Sequence, residues 1–199
     1  ELLNNSSLNK KQEYYTKNIQ GSSEYISKLV QDLLDFTKIE AGKIVVEPVP
    51  FFLDEVIRDV AQSVQSVYQS KVIDLSVSVD SCFNTKIISD PFRLRQILTN
   101  IIGNAYKFTE SGFIKINAVR DQNNIRITIE DSGIGIKNEN LNLVFQEFTQ
   151  ADSTIEKSYG GTGLGLSISR ELAKLLRGEI ILHSKVNEGS TFTVELPHV

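Results

Sequence analysis

The sequence predicts a two-layer α/β (α+β) sandwich, in which helices cover one face of a mixed β-sheet, preceded by a long amphipathic helix. Three observations predict this fold class. Residues 10–41 contain no proline and repeat their apolar side chains at helical spacing. The rest of the sequence alternates β-type segments with helical segments. Several β-type segments follow one another closely enough to pair as hairpins.

The long helix is predicted from an apolar stripe whose members are three, four or seven positions apart. The stripe consists of Ile19, Ile26, Leu29, Leu33 and Phe36, widened by Val30 and Leu34. Such a stripe suits a helical bundle, and Gly42 follows the last periodic turn as an expected stop. Packing of this helix on its own domain is the alternative, but a length of about thirty residues favours a projecting helix.

The later elements are predicted in chain order from their apolar periodicity. A strand is expected at 44–46, closed by Pro48 and Pro50. Asp90 and Pro91 predict a helix start, because Asp caps helices and Pro favours the first helical position. The predicted helices cover 53–68, 90–108 and 164–176, and the predicted strands cover 75–79, 86–89, 113–119, 125–129, 179–183 and 191–196.

Composition excludes several classes of protein. The net charge of −4, from 21 basic and 25 acidic residues, argues against a nucleic-acid-binding protein. Cys82 is the one cysteine, so no internal disulfide is possible and a reducing cytoplasmic location is expected. No apolar run approaches the roughly 20 residues of a membrane span. Because the chain begins at Glu1 and contains no methionine, we expect a piece of a longer protein, whose membrane anchoring stays open.

Three polar residues share one face of the helix predicted after Asp90. Asn100, Asn104 and Lys107 are four and three positions apart, whereas the opposite face is apolar. Two carboxamides and an ammonium group can meet a polyphosphate, and an amide oxygen is a neutral hard ligand that Mg²⁺ accepts. A solvent-exposed polar face is the alternative interpretation.

A turn at 131–136 follows a predicted strand. Asp131 can accept a hydrogen bond from an exocyclic amine such as that of adenine, and Gly133 and Gly135 allow the backbone to approach a flat base closely. A plain Asp-Gly turn between two elements is the alternative.

A glycine run at 160–166 leads into a predicted helix. Amide groups unshielded by Cβ atoms, together with a helix start, suit an anion. The run is not a P-loop, because no Gly-Lys-Ser/Thr sequence follows. The polar segment before it contains Phe145 and Phe148, which indicates a hinged flap with apolar anchors, or else a long surface loop.

Four boxes in this order resemble the ATP-binding catalytic domain of sensor histidine kinases, within the GHKL ATPase superfamily and its Bergerat fold. They read NIIGNAYKFT at 100–109, DSGIGI at 131–136, FQEF at 145–148 and GGTGLGLSI at 160–168. DPFRLRQIL at 90–98 and GSTFTVELP at 189–197 are also similar, and 9–44 resembles the second helix of the family's dimerisation hairpin. The resemblance implies a partial hairpin at 1–42 and an ATP-binding domain at 43–199, with a lid at about 137–160.

The resemblance also implies site residues. Asn104 is expected to bind Mg²⁺ and Asn100 to assist phosphoryl transfer. Lys107 is expected to contact the phosphates, Phe108 to stack near the base and Asp131 to bind the adenine amine. The other expected cofactor-binding residues are Gly133, Gly135 and Ile136 around the base and ribose, and Gly161, Thr162, Gly163, Leu164, Gly165 and Leu166 around the phosphates.

The departures from the family concern the lid and the acceptor. Many members have Pro at position 137 and Arg at position 150, where this chain has Lys137 and Gln150; Lys157 is a candidate replacement for the missing charge. The chain contains His183 and His198, and neither lies in a histidine box.

The family therefore implies transfer of the γ-phosphoryl group of ATP, with Mg²⁺, to a histidine on a dimerisation helix absent from this chain. It also implies a downstream response-regulator receiver domain and a homodimeric parent. A non-catalytic, nucleotide-gated interaction module is the rival hypothesis. An ATPase of the chaperone or topoisomerase kind is disfavoured, because those enzymes use Glu where Asn100 stands.

Overall fold

A mixed β-sheet forms one layer of the fold, and helices form the other. The computed structural model describes residues 8–121, 124–149 and 162–197. Its helices are α1 (Lys10–Glu40), α2 (Leu53–Val67), α3 (Pro91–Phe108) and α4 (Gly165–Leu175). Its strands are β1 (Val49–Phe51), β2 (Ile73–Val79), β3 (Ile87–Ser89), β4 (Gly112–Asp121), β5 (Asn124–Asp131), β6 (Glu179–Lys185) and β7 (Gly189–Pro197). Short 3₁₀ turns lie at Ser81–Phe83, Asn138–Asn140 and Leu143–Phe145.

The larger sheet has five strands in the order β2-β4-β5-β7-β6. β2 runs parallel to β4, and the other neighbours are antiparallel. Along the central strand β5, Ile125, Ile127 and Ile129 are buried and alternate with half-buried residues. This alternation turns one face of the strand towards the helices. Asp131 ends β5 on that same buried face.

Helix α3 is the central helix of the second layer. Leu94, Ile97 and Ile101 on its apolar side are fully buried, and the helix packs against α2, α4 and β5. Burial of each such side chain contributes about 1.5–3 kcal/mol of hydrophobic stabilisation. The predicted two-layer arrangement is confirmed, and α3 presents its polar side to the space above the end of β5.

Asp90 fixes the start of α3, as predicted. Its Oδ1 accepts hydrogen bonds from the backbone N–H groups of Phe92 and Arg93, both at 3.0 Å. Its Oδ2 accepts a third, also at 3.0 Å, from the N–H of Glu47 in the segment before β1. Asp90 is 4% exposed, so it connects the helix start to that segment in a largely dry environment.

Helix α1 begins with a capping box, in which Asn9 and Gln12 bind each other's backbone amides. Ile19 and Ile26 of its apolar stripe are exposed, whereas Asp32 and Asp35 are buried against the two-layer domain. The predicted projection therefore describes the N-terminal part of α1, and the C-terminal part packs on the domain. No helix of the described ranges has the length and hydropathy that a membrane crossing requires.

The prediction of a strand at 44–46 is wrong. Residues 43–48 are irregular, and the strand comes later, at β1, where it pairs only with β3. Val45 is 71% exposed, and no neighbouring strand among the described residues pairs with it. Apolar character alone is therefore not enough to form a strand at 44–46. Pro50, which was expected to close the strand, lies inside β1; a two-stranded edge tolerates proline. The other predicted helices and strands are confirmed, with ends that differ by a few residues.

Replacement of Asp90 by Ala should lower the free energy of unfolding by about 1–3 kcal/mol, because three backbone N–H groups lose their buried acceptor. Urea denaturation measures the loss. Asp80→Ala is the matched control, since Asp80 caps the 3₁₀ turn Ser81–Phe83 through one bond at an exposed site. Equal losses in the two variants would contradict the role given to Asp90.

Candidate functional site

A cavity of about 570 Å³ lies above the end of β5, between α3, the start of α4 and the turn that joins β6 to β7. Its volume falls within the roughly 300–1,000 Å³ typical of small-molecule sites. The predicted site residues that line it are Asn100, Asn104, Lys107, Phe108, Asp131, Gly135, Ile136, Thr162, Gly163, Gly165 and Leu166. The structure therefore brings most of the predicted set together.

Three predicted residues stand apart from that lining. Leu164 is 1% exposed and belongs to the hydrophobic core. Gly133 packs beneath the site, where an added Cβ would lie 2.6 Å from the carbonyl oxygen of Phe108. Gly161 falls outside the described residues, as do Gln150 and Lys157.

The polar face of α3 forms one wall of the cavity. The Asn100 Nδ2 group donates hydrogen bonds to the Gly165 carbonyl and to Ser169 Oγ, both at 3.2 Å, so Asn100 ties α3 to the start of α4. Asn104 lies one turn later and is half-buried, and its carboxamide has no hydrogen-bond partner in the described part of the chain. Asn104 therefore presents a polar group to the cavity.

Positive charge concentrates around the cavity although the whole chain is acidic. Lys28, Lys107 and Lys137 all line it, and Asp131 is the one carboxylate among the lining residues. Burial lowers the pKa of Lys107, and repulsion from Lys28 lowers it further. Because the Lys107 ammonium is partly buried, an anion beside it would be attracted more strongly than at a fully solvated lysine.

Asp131 supplies a hydrogen-bond acceptor in the lining of the same cavity. Its Oδ1 accepts hydrogen bonds from the N–H groups of Gly133 at 2.9 Å and Ser190 at 3.3 Å. Its Oδ2 has no hydrogen-bond partner among the described residues. Burial raises the pKa of this carboxyl, although the two N–H donors oppose the increase. A ligand N–H group that reached Oδ2 would therefore relieve the cost of a buried charge.

The loop after Asp131 is held by the hairpin of β6 and β7. Gly135 has φ +66°, and an added Cβ would lie 2.0 Å from the Lys185 carbonyl oxygen, so only glycine fits. The Asn187 N–H donates to the Ile134 carbonyl at 2.8 Å. The Ile136 N–H donates to Ser184 Oγ at 2.8 Å. These contacts fix the loop at the distance from β6 that keeps the cavity open.

Several lining residues were missed by sequence reasoning. Val186, Asn187, Ser190 and Phe192 come from the β6–β7 hairpin. The similarity of the segment 189–197 marked this hairpin, but it assigned no role to any residue there. Tyr25 and Lys28 of α1 also line the cavity, and no local pattern could indicate that contact.

Helix α1 reaches the glycine-rich end of the cavity through two buried carboxylates. Thr162 Oγ1 donates a 2.7 Å hydrogen bond to Asp32 Oδ2 and accepts one from the Leu164 N–H at 3.3 Å. Asp35 Oδ2 accepts a 2.8 Å bond from Gln96 Nε2 of α3. The buried part of α1 therefore contacts both elements that form this end.

The described part of the predicted lid contains two 3₁₀ turns, and its aromatic residues contact the domain on different sides. The Phe145 ring lies edge-on to Phe192 at 6.4 Å, beneath the guanidinium of Arg170. Phe148 is 64% exposed and contacts Phe36 of α1 at 6.5 Å. Phe145 is thus the apolar anchor that the sequence suggested, whereas Phe148 joins the lid segment to α1.

Family profiles match both parts of this chain. The histidine kinase-, DNA gyrase B-, and HSP90-like ATPase profile matches residues 89–199. The chain belongs to this ATPase family. The His Kinase A (phospho-acceptor) domain profile matches residues 1–42. The predicted resemblance to the ATP-binding domain of a sensor histidine kinase is confirmed.

Curated relatives are sensor and hybrid kinases. Sensor histidine kinase GacS of Pseudomonas protegens is 38% identical over 98% of this chain and 22% of its own length. Hybrid signal transduction histidine kinase L of Dictyostelium discoideum is 40% identical over 97% of this chain and 12% of its own. BarA of Escherichia coli K12 is 39% identical over 87% of this chain and 20% of its own length. The chain thus spans about a fifth or less of the length of these relatives.

Solved structures share the fold. Full-length ShkA in complex with AMPPNP has a TM-score of 0.84 and 31% identity, covering all of this chain and 41% of that one. The histidine kinase AdeS of Acinetobacter baumannii has a TM-score of 0.77 at 23% identity, covering 97% of this chain and 87% of that one, which shows the fold alone. The ShkA match includes α1 as well as the two-layer domain.

Replacement of Asp131 by Asn should change how stability depends on pH. Because burial raises the pKa of this carboxyl, the unfolded chain ionises first as pH rises. The wild type then loses stability between the ordinary Asp pKa of about 3.9 and the raised folded value, and it loses no more above that value. The Asn variant lacks this contribution and keeps the acceptor for Gly133 and Ser190.

Urea titrations of both proteins at several pH values test this prediction. The stability of the Asn variant relative to the wild type should rise through that pH window and then become constant. A relative stability that falls with rising pH would contradict the burial of the Asp131 charge.

Proposed function

We propose that this chain is the ATP–Mg²⁺-binding catalytic part of a protein histidine kinase, which transfers the γ-phosphoryl group of ATP to a histidine on a dimerisation helix. One observation carries the proposal: a buried carboxylate acceptor, Asp131, and a cationic, glycine-rich region line one and the same cavity. A nucleotide matches both features, because an exocyclic amine on its base can donate to the carboxylate and its polyphosphate is attracted by the cationic region. The AMPPNP in the ShkA structure and the family's ATPase description support the same ligand class.

At the base end, Asp131 accepts the adenine amine while Gly135 and Ile136 form the floor beneath the ring. Phe108 stands beside them at the end of α3. Gly133 supports this end without lining it, since its N–H holds the Asp131 carboxylate in place. Residues of the β6–β7 hairpin, Asn187 and Ser190 among them, close the far side.

At the phosphate end, Lys107 neutralises charge, and the amides of Gly163, Gly165 and Leu166, at and just before the start of α4, bind the phosphates. Gly161 is proposed for the same role from the family resemblance alone. Asn104 is the residue that fits Mg²⁺, because the ion commonly takes one or two protein oxygens and completes its shell with phosphates and water. The described residues contain no cluster of three or more acidic or thiol ligands, so the site suits an ion brought in with the nucleotide. When bound, Mg²⁺ supplies charge neutralisation on the phosphates.

The transfer step requires positioning more than covalent chemistry. An imidazole nitrogen forms a bond to the γ-phosphorus as the bond to the bridging oxygen breaks, and ADP leaves with the bonding electrons. Asn100 assists this step. Its Nδ2 group is held by Gly165 and Ser169, so its Oδ1 atom is the one left to orient the incoming imidazole.

The chain divides, in this proposal, into a partial dimerisation hairpin at 1–42 and a catalytic domain at 43–199. The His Kinase A profile at 1–42 supports the first part. Neither His183 nor His198 lies in a histidine box, so neither forms the acceptor, which instead lies on another helix of the hairpin. A receiver domain as the next phosphoryl acceptor fits the hybrid kinases among the relatives. A homodimeric parent is proposed from the dimerisation hairpin alone. The rival hypothesis, a non-catalytic nucleotide-gated module, is not favoured by relatives that are named kinases.

Asp131→Asn should lower the affinity for ATP by about 100-fold or more and leave the fold intact. In the variant, an amide NH₂ replaces Oδ2 and meets the adenine amine donor to donor, at a buried site. Calorimetric titration with ATP and Mg²⁺ measures the loss, and circular dichroism checks the fold. Asp121→Asn, at a half-exposed carboxylate in an ion pair with Arg126, is the matched control and should bind ATP normally.

Incubation of the fragment with γ-labelled ATP, Mg²⁺ and a histidine-bearing dimerisation hairpin supplied in trans should label the hairpin. The label should be acid-labile, and it should disappear when the hairpin histidine is replaced by Gln. The fragment itself should stay unlabelled. Stable acid-labile labelling of the fragment would overturn the proposed division of roles, and ATP binding with no transfer to any family hairpin would favour the interaction module.

A further inference from the structure

The C-terminal end of α3 has carbonyl groups that the helix itself cannot bind. The last carbonyls of any α-helix lack partners from the following turn. Here the Ala105 carbonyl accepts from the Thr109 N–H at 3.1 Å, and the Phe108 carbonyl accepts from the Ile134 N–H at 3.3 Å. The carbonyls of Tyr106, Lys107 and Thr109 need another donor.

Lys71 supplies that donor. Its ammonium group donates to the carbonyls of Tyr106 at 2.9 Å, Lys107 at 3.1 Å and Thr109 at 2.9 Å. An ammonium group has three N–H donors, so these bonds use all of them. The positive charge also lies at the negative end of the α3 dipole, where a cation is stabilising.

The surroundings hold Lys71 in this position. Its side chain is 18% exposed, and its own backbone N–H donates to the Tyr68 carbonyl at 3.0 Å in the turn after α2. The Tyr68 ring stacks on Tyr106 of α3, with ring centroids 5.4 Å apart, and the Lys71 ammonium lies 6.0 Å from the Tyr68 ring centre. Glu110 lies 3.8 Å away but is 64% exposed, so its pairing with Lys71 contributes little.

Thr109 does not replace this contact. A threonine hydroxyl at a helix end can bind nearby backbone groups. The Thr109 side chain is fully buried, however, and its Oγ1 has no hydrogen-bond partner among the described residues. The end of α3 therefore depends on a residue 35 or more positions earlier in the chain.

The end of α3 also carries much of the nucleotide site. Lys107 and Phe108 are its last two residues, and both line the cavity. The carbonyl of Phe108 binds Ile134 and packs against Gly133, so the turn after Asp131 rests on the same helix end. A displaced last turn would move a phosphate contact and the support of the adenine contact together.

We propose that Lys71 is a positioning residue of the nucleotide site, which holds the last turn of α3 so that Lys107 meets the phosphates. This inference rests on the proposed function. Lys71 acts through α3 rather than on the nucleotide, because its three N–H groups are engaged and it is absent from the residues that line the cavity.

The test compares Lys71→Met, which keeps the length of the side chain and removes the charge and donors, with Lys71→Arg. Calorimetry measures the affinities for ATP with Mg²⁺ and for adenosine, at a temperature where each protein is folded. Lys71→Met should lose about 10-fold or more in ATP affinity, equivalent to about 1.4 kcal/mol, and lose less for adenosine. Lys71→Arg should fall between the wild type and the Met variant, because a planar guanidinium cannot direct three donors from one atom.

A merely structural role would lower the unfolding temperature and leave the ratio of ATP to adenosine affinity unchanged. Lys115→Met is the matched control: Lys115 is a half-exposed lysine of β4 near Glu130, and its loss should change neither affinity. An unchanged ratio in folded Lys71→Met overturns the inference. If that variant does not fold, an unchanged ratio in Lys71→Arg overturns it instead. Failure of the wild type to bind ATP would overturn the proposed function itself.

Discussion

The division of α3 into an apolar side and a polar side is the constraint on which the structure depends. The apolar side fills the space above the sheet with residues that are fully buried, including Leu94, Ile97 and Ile101. On the polar side, Asn100 contacts the start of α4, whereas Asn104 and Lys107 line the cavity. Any change that rotates α3 about its axis would bury carboxamides and expose aliphatic side chains, so the core holds the site residues in register.

The cavity shows how an acidic chain presents a cationic site. Lys28, Lys107 and Lys137 come from three different parts of the chain and line one cavity, in which Asp131 is the one carboxylate among the lining residues. Partial burial of Lys107 strengthens its attraction for an anion in the cavity. Net charge therefore describes the solubility of the chain and says little about its ligand.

Local sequence patterns were sufficient for most of the helices and strands, and for the site residues that lie on them at fixed spacing. Asn100, Asn104 and Lys107 share a face because a helix has 3.6 residues per turn, and Asp90 caps that helix by its own local chemistry. The strand expected at 44–46 failed because a strand needs a neighbour, and pairing with β3 begins only at Val49. Tyr25 and Asn187 reach the cavity through tertiary packing, which no local pattern encodes.

The two buried carboxylates of α1 give the helix an angular role. Residues of an α-helix are about 100° apart around its axis, so a turn of α1 by one residue would carry Asp32 away from Thr162 and Asp35 away from Gln96. Both contacts would break together, because both carboxylates lie on the same helix. The Thr162 hydroxyl would then be free to turn towards the cavity. A rotation of the exposed end of α1 about the helix axis would in this way change the hydrogen bonding at the glycine-rich end of the site.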